Sequence, residues 1–391
     1  MRLAVFVDDT FRADADGVSG ERAFVRFLTG LGPLVERLVI TGRLDPRPAR
    51  SHYPLGPEVE FVGLPYYESL TRPLEVLRSF AGSARCFWRL LDRVDTVWVL
   101  GPYAHAIGFA LLALIRRRHV VLGLRQDFPR YVRLRRPTVR WMHVAADVLE
   151  GAFRLLARCL PVVVVGPDLA DRYVHSPQLL ELMVSLVSAE DVLDESDALA
   201  RADDPVRRVL SVGRLDSEKN PLLLIETIAI LRDVEDGRGG HLDWRLVIVG
   251  EGQLREAMQA RIDELGLGAS VDLRGYVSID GDLPLLYRSS DAFLHVSWTE
   301  GVPQVLFEAF AAGLPVVATD VGGVARAVGD AALLIPPGDV TAAVGALQRI
   351  RGEPELRRRL IRDGLARVRD HTLEAEAQRL VTFLEDRAGS A

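Results

Sequence analysis

At 391 residues, with 49% hydrophobic and 26% charged side chains, the chain has the composition of a globular protein large enough for two domains. Its formal charge of −6 argues against a nucleic-acid partner. The two cysteines, Cys86 and Cys159, offer neither a disulfide framework nor metal-ligand spacing, which favours a reducing compartment. The longest apolar run, Ala104 to Ile115, is shorter than the roughly 18 residues a membrane span needs, and the first residues read as a strand, not a signal peptide.

Leu3 to Val7 is an unbroken apolar run with the length of a buried strand. The loop expected after it, Asp8 to Gly20, carries Gly17 and Gly20, and glycine lets a backbone approach a phosphate closely. A helix is expected from Glu21 to Leu31. Short apolar strands then recur at Leu38–Ile40, Val59–Val62, Thr96–Leu100, His119–Leu124, Val162–Val165 and Leu182–Val187, mostly with helical stretches between them. Strands alternating with helices predict a parallel sheet covered on both faces.

From Arg116 to Arg140, nine arginines stand against one acid, Asp127, with Phe128 and Tyr131 interleaved. Such a stretch is either a solvated basic face or a surface for an anionic acceptor or a membrane. Residues 191–206 are acidic and loop-like, and are expected to link two domains. A second α/β series follows: strand Val209–Val212, helix Pro221–Leu231, strand Arg245–Val249, helix Gln253–Leu265 and strand Val271–Leu273.

Two cations, Arg214 and Lys219, lie in VGRLDSEKN, between a strand and a helix start. That placement suits a diphosphate. Lys219 is the only lysine; the other 47 basic residues are arginine. VGEGQ, with Gly250 and Gly252, is another strand-to-helix glycine loop. RGYV follows a third strand, where Tyr276 and Val277 could meet a flat base.

The stretch Asp291 to Gly323 reads as strand, loop, helix and strand. Glu300 falls in the loop and Glu308 in a helix expected from Val302 to Ala312, with Pro303 in its first turn and Gly313 at its end. Eight helical steps would separate the two backbones by roughly 12 Å. Glycosidase carboxyl pairs sit closer, at about 5–9.5 Å; this spacing fits the two ends of one extended ligand. The free N–H groups of Val302, Gln304 and Val305 would offer an anion site between them.

Taken together, VGRLDSEKN, IVGEGQ, LRGYV and TEGVPQVLFEAFAAGLPVVATDVGG resemble glycosyltransferase family 4, strongly over Val209 to Pro337. GVSGERAFVRFLTGL resembles the family's first glycine loop more faintly. The resemblance implies an α/β GT-B fold of two Rossmann-like, doubly wound domains facing across a cleft. The domains would be 1–190 on the acceptor side and 207–370 for the nucleotide sugar. The helix in 371–391 would cross back to the first.

It also implies retaining transfer from a nucleotide diphosphate sugar to a glycan, lipid-linked or small-molecule acceptor, with no metal and no cofactor beyond the donor. Arg214 and Lys219 would neutralise the diphosphate, Glu300 would face the donor sugar, and Glu308 would hold the ribose. Gly301, Val302, Gln304 and Val305 would bind sugar and phosphate through the main chain, with Gly17 and Gly20 approaching from the other domain. Where many relatives carry a His–Asp pair, this chain has Arg125, Gln126 and Asp127. Gln126 can hydrogen-bond a sugar but cannot exchange a proton near neutral pH. Left open are a catalytically silent nucleotide-sugar-binding homologue and another GT-B enzyme such as a sugar-nucleotide epimerase. The expected location is cytoplasmic, at the inner face of a membrane if the arginine run meets lipid.

Overall fold

The computed structural model describes residues 1–68, 72–237, 244–279 and 281–388. The chain divides into two compact units, residues 1–186 with 373–391, and residues 187–372. The last three residues of the expected terminal segment lie outside the described residues.

The first unit runs β1 (Arg2–Asp14), β2 (Gly17–Gly20), α1 (Phe24–Thr29), β3 (Arg37–Leu44), β4 (Tyr53–Pro54), β5 (Val59–Leu64), α2 (Pro73–Leu90) and β6 (Thr96–Gly101). It continues with α3 (Ala104–Ile115), β7 (His119–Leu124), α4 (Phe128–Arg135), α5 (Arg140–Ala157), β8 (Val162–Val165), α6 (Pro167–Arg172) and β9 (Leu179–Leu182). The parallel strands are ordered β5-β3-β1-β6-β7-β8-β9. Side chains alternate across β1. Ala4 and Phe6 face a layer that includes α2, α3 and α5. Leu3, Val5 and Val7 face the opposite layer, with α1 and the terminal helix.

Three expectations need correction here. Asp8 to Gly20 is not a glycine loop: β1 continues to Asp14 and turns into antiparallel β2. Gly20 is paired with Phe11 on one side and Tyr53 on the other, and a Cβ there would sit 2.6 Å from Val25. Its lack of a side chain serves packing. Second, the last strand of the unit is Leu179–Leu182, not Leu182–Val187. Residues 183–187, apolar apart from Ser185, are buried, although they extend no ladder. Third, the arginine run is not one patch. The six residues of β7 separate Arg116, Arg117 and Arg118 from Arg125 by about 20 Å along the strand.

The second unit runs α7 (Glu195–Ala200), β10 (Arg208–Val212), α8 (Leu222–Gly237), β11 (Arg245–Val249), α9 (Arg255–Glu264), β12 (Val271–Gly275), α10 (Leu283–Arg288), β13 (Ala292–His295) and α11 (Gln304–Ala311). Then come β14 (Val316–Thr319), α12 (Val324–Val328), β15 (Ala332–Ile335), α13 (Val340–Gly352) and α14 (Pro354–Arg369). All its strand pairs are parallel, in the order β12-β11-β10-β13-β14-β15. Leu246, Ile248, Leu294 and Val296 pack with α8, α9 and α13. The segment 191–206 is not a bare linker. It carries α7, whose Ala198 packs on Ile361 and Leu365 of α14. Six residues rich in Asp, Glu and Ser read as loop because so short a helix shows no period.

The terminal helix α15 (Leu373–Ala388) clusters with the first unit. Its Ala377, Leu380, Val381 and Leu384 recur at i, i+3, i+4 and i+7 and are buried against the sheet face that holds Leu3 and Val5. Full burial of each leucine stabilises by about 1.5–3 kcal/mol.

Candidate functional site

In an open parallel sheet, ligands bind beyond the carboxyl ends of the strands, where the strand order reverses. In the second unit that point lies between β10 and β13. The loop after β10 carries Arg214 and Lys219, and the loop after β13 carries Glu300. A backbone bond from the Trp298 N–H to the Glu218 carbonyl, 2.9 Å, ties the two loops together.

Lys219 Nζ donates to Glu300 Oε1 at 2.5 Å. Ser297 Oγ donates to the same oxygen at 2.7 Å, and His295 Nε2 lies 3.2 Å from it. A proton on His295 Nε2 makes that third bond. Among the described residues no donor reaches Oε2. The Glu300 side chain is only 8% exposed. Burial favours the neutral acid, but the His295 hydrogen bond and the nearby Lys219 charge outweigh it and hold the carboxyl far below the usual carboxylate range. Glu300 is therefore ionised at any working pH.

The loop geometry is built on close backbone approach. A Cβ on Gly250 would lie 1.8 Å from the Gly213 carbonyl oxygen, and one on Gly252 would lie 2.4 Å from the Leu215 carbonyl carbon. Gly250 has φ of 144° and donates its N–H to the Gly275 carbonyl at 2.8 Å. Leu215 donates to the Glu251 carbonyl at 2.9 Å and accepts from Leu254 at 2.8 Å. The VGEG loop thus braces the Arg214–Lys219 loop, with the Gly250 N–H engaged by the Gly275 carbonyl. Gly322 (φ 52°), after β14, presses on the Glu300 backbone in the same way; a Cβ there would fall 2.0 Å from the Glu300 carbonyl oxygen.

Arg214 is half exposed and not a free cation. It pairs with Asp216 of its own loop and with Glu218 at 2.7 Å. α11 starts at Gln304, with Pro303 as its N-cap residue, so Val302 precedes the helix and is not part of it. The 12 Å separation inferred for a continuous helix does not apply, because the chain from Glu300 to Pro303 is not helical. Gly301 is exposed, while Val302, Gln304, Val305 and Val277 are half-buried. Tyr276, just past β12, is 47% exposed. Glu308, in the middle of α11, accepts a hydrogen bond from Tyr287 Oη at 2.7 Å. Tyr287 is buried and stacks on Phe293, and burial beside Glu308 holds its phenol well above the usual range, so it acts as a neutral donor. Gly313 ends α11 in the left-handed region, φ 68°.

His295, Ser297 and Tyr287 escaped sequence reasoning. His295 and Ser297 sit inside an apolar run that reads as strand, where two polar residues before a carboxylate were the available signal. Tyr287 lies 21 residues before Glu308 with no spacing rule to connect them.

In the first unit, Arg125, Gln126 and Asp127 follow β7. Arg125 lies over the Phe24 ring at 4.1 Å and reaches Asp9 at 3.4 Å. Asp127 caps α4 by accepting from the Arg130 N–H at 3.0 Å, and Arg172 donates to it at 2.5 Å. Burial raises its pKa, but these bonds lower it below the usual value. Gln126 has no hydrogen-bond partner among the described residues. Gly17 is exposed at the β1–β2 turn with φ of 132°, and a Cβ there would meet nothing.

Residues 194–367 match the family model "Glycosyl transferases group 1". This segment is similar to group 1 glycosyltransferases. A relative named N-acetylgalactosamine-N,N'-diacetylbacillosaminyl-diphospho-undecaprenol 4-alpha-N-acetylgalactosaminyltransferase, from Campylobacter jejuni, is 34% identical over 155 residues, 39% of this chain and 38% of its own. The mannosylfructose-phosphate synthase of Agrobacterium fabrum is 32% identical over 188 residues, 46% of this chain and 40% of its own. The matched stretches therefore span well under half of these relatives.

Over its whole length the chain is similar in structure to sucrose-phosphate synthase from Thermosynechococcus elongatus. The TM-score is 0.74 at 19% identity, covering 100% of both chains. It is also similar to Anabaena HepE crystallised with UDP (TM-score 0.69, 16% identity, 99% of this chain and 100% of the other). These likenesses show the fold, α/β with two Rossmann-like units of the GT-B class.

Proposed function

We propose that the chain transfers a sugar from a nucleotide diphosphate sugar to a glycan, lipid-linked or small-molecule acceptor, with retention at the anomeric carbon and without a bound metal. The observation that carries this is the Lys219–Glu300 pair at the switch point of the second unit. A diphosphate arriving at Lys219 takes over its ammonium as counter-charge, and negative charge that develops on the leaving phosphate is stabilised there. Arg214 exchanges its partners Asp216 and Glu218 for the second phosphate. Glu300 Oε2 accepts from donor-sugar hydroxyls while His295 and Ser297 hold the carboxylate in place. Glu308, fixed by Tyr287, accepts from the ribose hydroxyls. The main chain of Gly301 to Val305 contacts sugar and phosphate, Tyr276 and Val277 flank the base, and the Arg125–Asp127 loop belongs to the acceptor side.

The names of the relatives include a transferase acting on a diphospho-undecaprenol-linked sugar and a 2-deoxystreptamine glucosyltransferase, and this breadth is why the acceptor is given as a class. Because HepE was crystallised with UDP, UDP sugars are tested first. A thermal-shift panel of UDP, GDP, ADP and dTDP sugars tests the reading. One base is expected to raise the melting temperature by several degrees at saturating ligand. No shift with any of them would remove it.

A further inference from the structure

Helix α5 presents an apolar face to solvent. Trp141, Val144, Val148 and Leu155 are 48%, 63%, 64% and 65% exposed, while Ala146, Phe153 and Ala157 on the other side are buried. At about 100° per residue the four exposed side chains fall within roughly 60° of the helix, a continuous stripe and not a scatter. α3 lies in the same layer on the sheet and adds Leu111, Leu114 and Ile115, also exposed.

The charges bordering this stripe have one sign. Arg140, Arg154 and Arg158 project along one edge of it, and none forms an ion pair among the described residues. Arg117, next to Ile115, is in the same condition. The acids nearby are neutralised or hidden: Asp147 is held by Arg133 at 2.6 and 2.8 Å, and Glu150 is buried, accepting from Tyr173 at 3.0 Å. Arg154 and Arg158 also line a groove of about 370 Å³, together with His175 and Ser176.

We propose that this face docks on an anionic lipid bilayer, with α5 lying in the plane of the headgroups. The apolar stripe enters the acyl boundary, and the flanking guanidinium groups extend outward to lipid phosphates. The geometry favours lipid over a packed helix. Positions 141, 144, 148, 151 and 155 also have the spacing of a helix–helix seam, but the arginines along one edge match lipid phosphates and would oppose one another across a second copy. Trp141, at the amino end beside Arg140, has the amphipathic ring that settles at an interface. The surface extends beyond the arginine run legible in the sequence, since Trp141, Val144, Val148, Leu155, Arg154 and Arg158 all follow Arg140.

The test uses the full chain and sedimentation with vesicles. Wild type is expected to pellet with phosphatidylcholine doped with phosphatidylglycerol and to stay in solution with phosphatidylcholine alone. Val148→Ser with Leu155→Ser should abolish pelleting. Arg154→Ala with Arg158→Ala should weaken it about tenfold or more, and added salt should do the same to wild type. Trp emission should shift to the blue with anionic vesicles, and Trp141→Phe should lose that shift; this variant keeps the test open if the serine pair unfolds. Failure of wild type to bind, or binding by the arginine variant equal to wild type, overturns the proposal. So does a concentration-dependent dimer, by sedimentation velocity, that the serine pair dissolves, since the occupant would then be a second copy. Vesicle binding needs no nucleotide, so its failure leaves the transferase reading standing, and the reverse holds too.

Discussion

The two units use the same strand order and arrive at opposite electrostatic outcomes. Counting only parallel strands, both sheets reverse direction beside their first strand, between β1 and β6 in one and between β10 and β13 in the other. In the first unit, Asp8 and Asp9 fall at the register break of β1. Each is buried and occupied: Asp8 by Arg43 at 3.1 Å and Tyr67 at 2.6 Å, Asp9 by Arg22 at 2.9 Å and Arg125. His105, stacked on Tyr67, is kept toward its neutral form by burial. In the second unit, three donors converge on one oxygen of Glu300 and leave the other uncovered. Topology supplies a crevice in both cases. The difference lies in the cations: three guanidinium groups, of Arg43, Arg22 and Arg125, meet Asp8 and Asp9, whereas one lysine, Lys219, meets Glu300.

The largest effect should come from breaking the open constellation. Glu300→Gln and Lys219→Ala are each expected to lower transfer by about two to three orders of magnitude, the loss typical of one charge-stabilising contact in an active site. Asp9→Asn is the counterpart in the closed cluster. It should lower stability, measured by urea unfolding, yet leave the nucleotide-induced melting shift unchanged. Wild-type turnover in both site variants would end the assignment of the site.

Next in size is a pair of glycines. Gly250→Ala forces a Cβ into the Gly213 carbonyl at a positive φ, and should cost about 3 kcal/mol or more, with loss of nucleotide binding. Gly17→Ala has the same strain but open space around it, so about 1 kcal/mol is expected, with binding unaltered. Equal costs would mean that the VGEG loop does not brace its neighbour.

A smaller change is Tyr287→Phe. It removes the hydroxyl that donates to Glu308 without removing the ring that packs on Phe293, and should weaken donor affinity by about three- to tenfold, read by calorimetry. The smallest concerns acid. Glu300 has its pKa depressed on folding, so its contribution to stability is present in full above about pH 4.5 and declines as pH falls below that value. Glu300→Gln should therefore be less stable than wild type at neutral pH, with the gap closing toward pH 3. A constant gap would mean that the carboxylate is not held ionised by its neighbours.

Much of this was legible in the sequence. The strands read at Val209–Val212, Arg245–Val249 and Val271–Leu273 fall within two residues of β10, β11 and β12, because turn residues bound them, while β15 went unread. The lone Lys219 and Glu300 stood out in the sequence as candidates, and folding brings their side chains to 2.5 Å. What stayed hidden has a common cause. His295, Ser297 and Tyr287 act through side-chain contacts formed by folding, and neither period nor composition encodes a contact. The β1–β2 hairpin was read as a loop because Asp8, Asp9 and Asp14 disfavour strand, and tertiary pairing overrode that preference. The glycines of VGEG were noticed, but their partner was a neighbouring loop, which local reading cannot supply.

The solitary lysine has a practical consequence. In a chain whose other 47 basic side chains are guanidiniums, Lys219 is the one side-chain primary amine. An amine-directed acylating reagent therefore has a single side-chain target in 391 residues, and that target lies at the switch point of the second unit, 2.5 Å from Glu300. Occupancy of the site can be followed as protection of one atom, without a label having to be engineered into the protein.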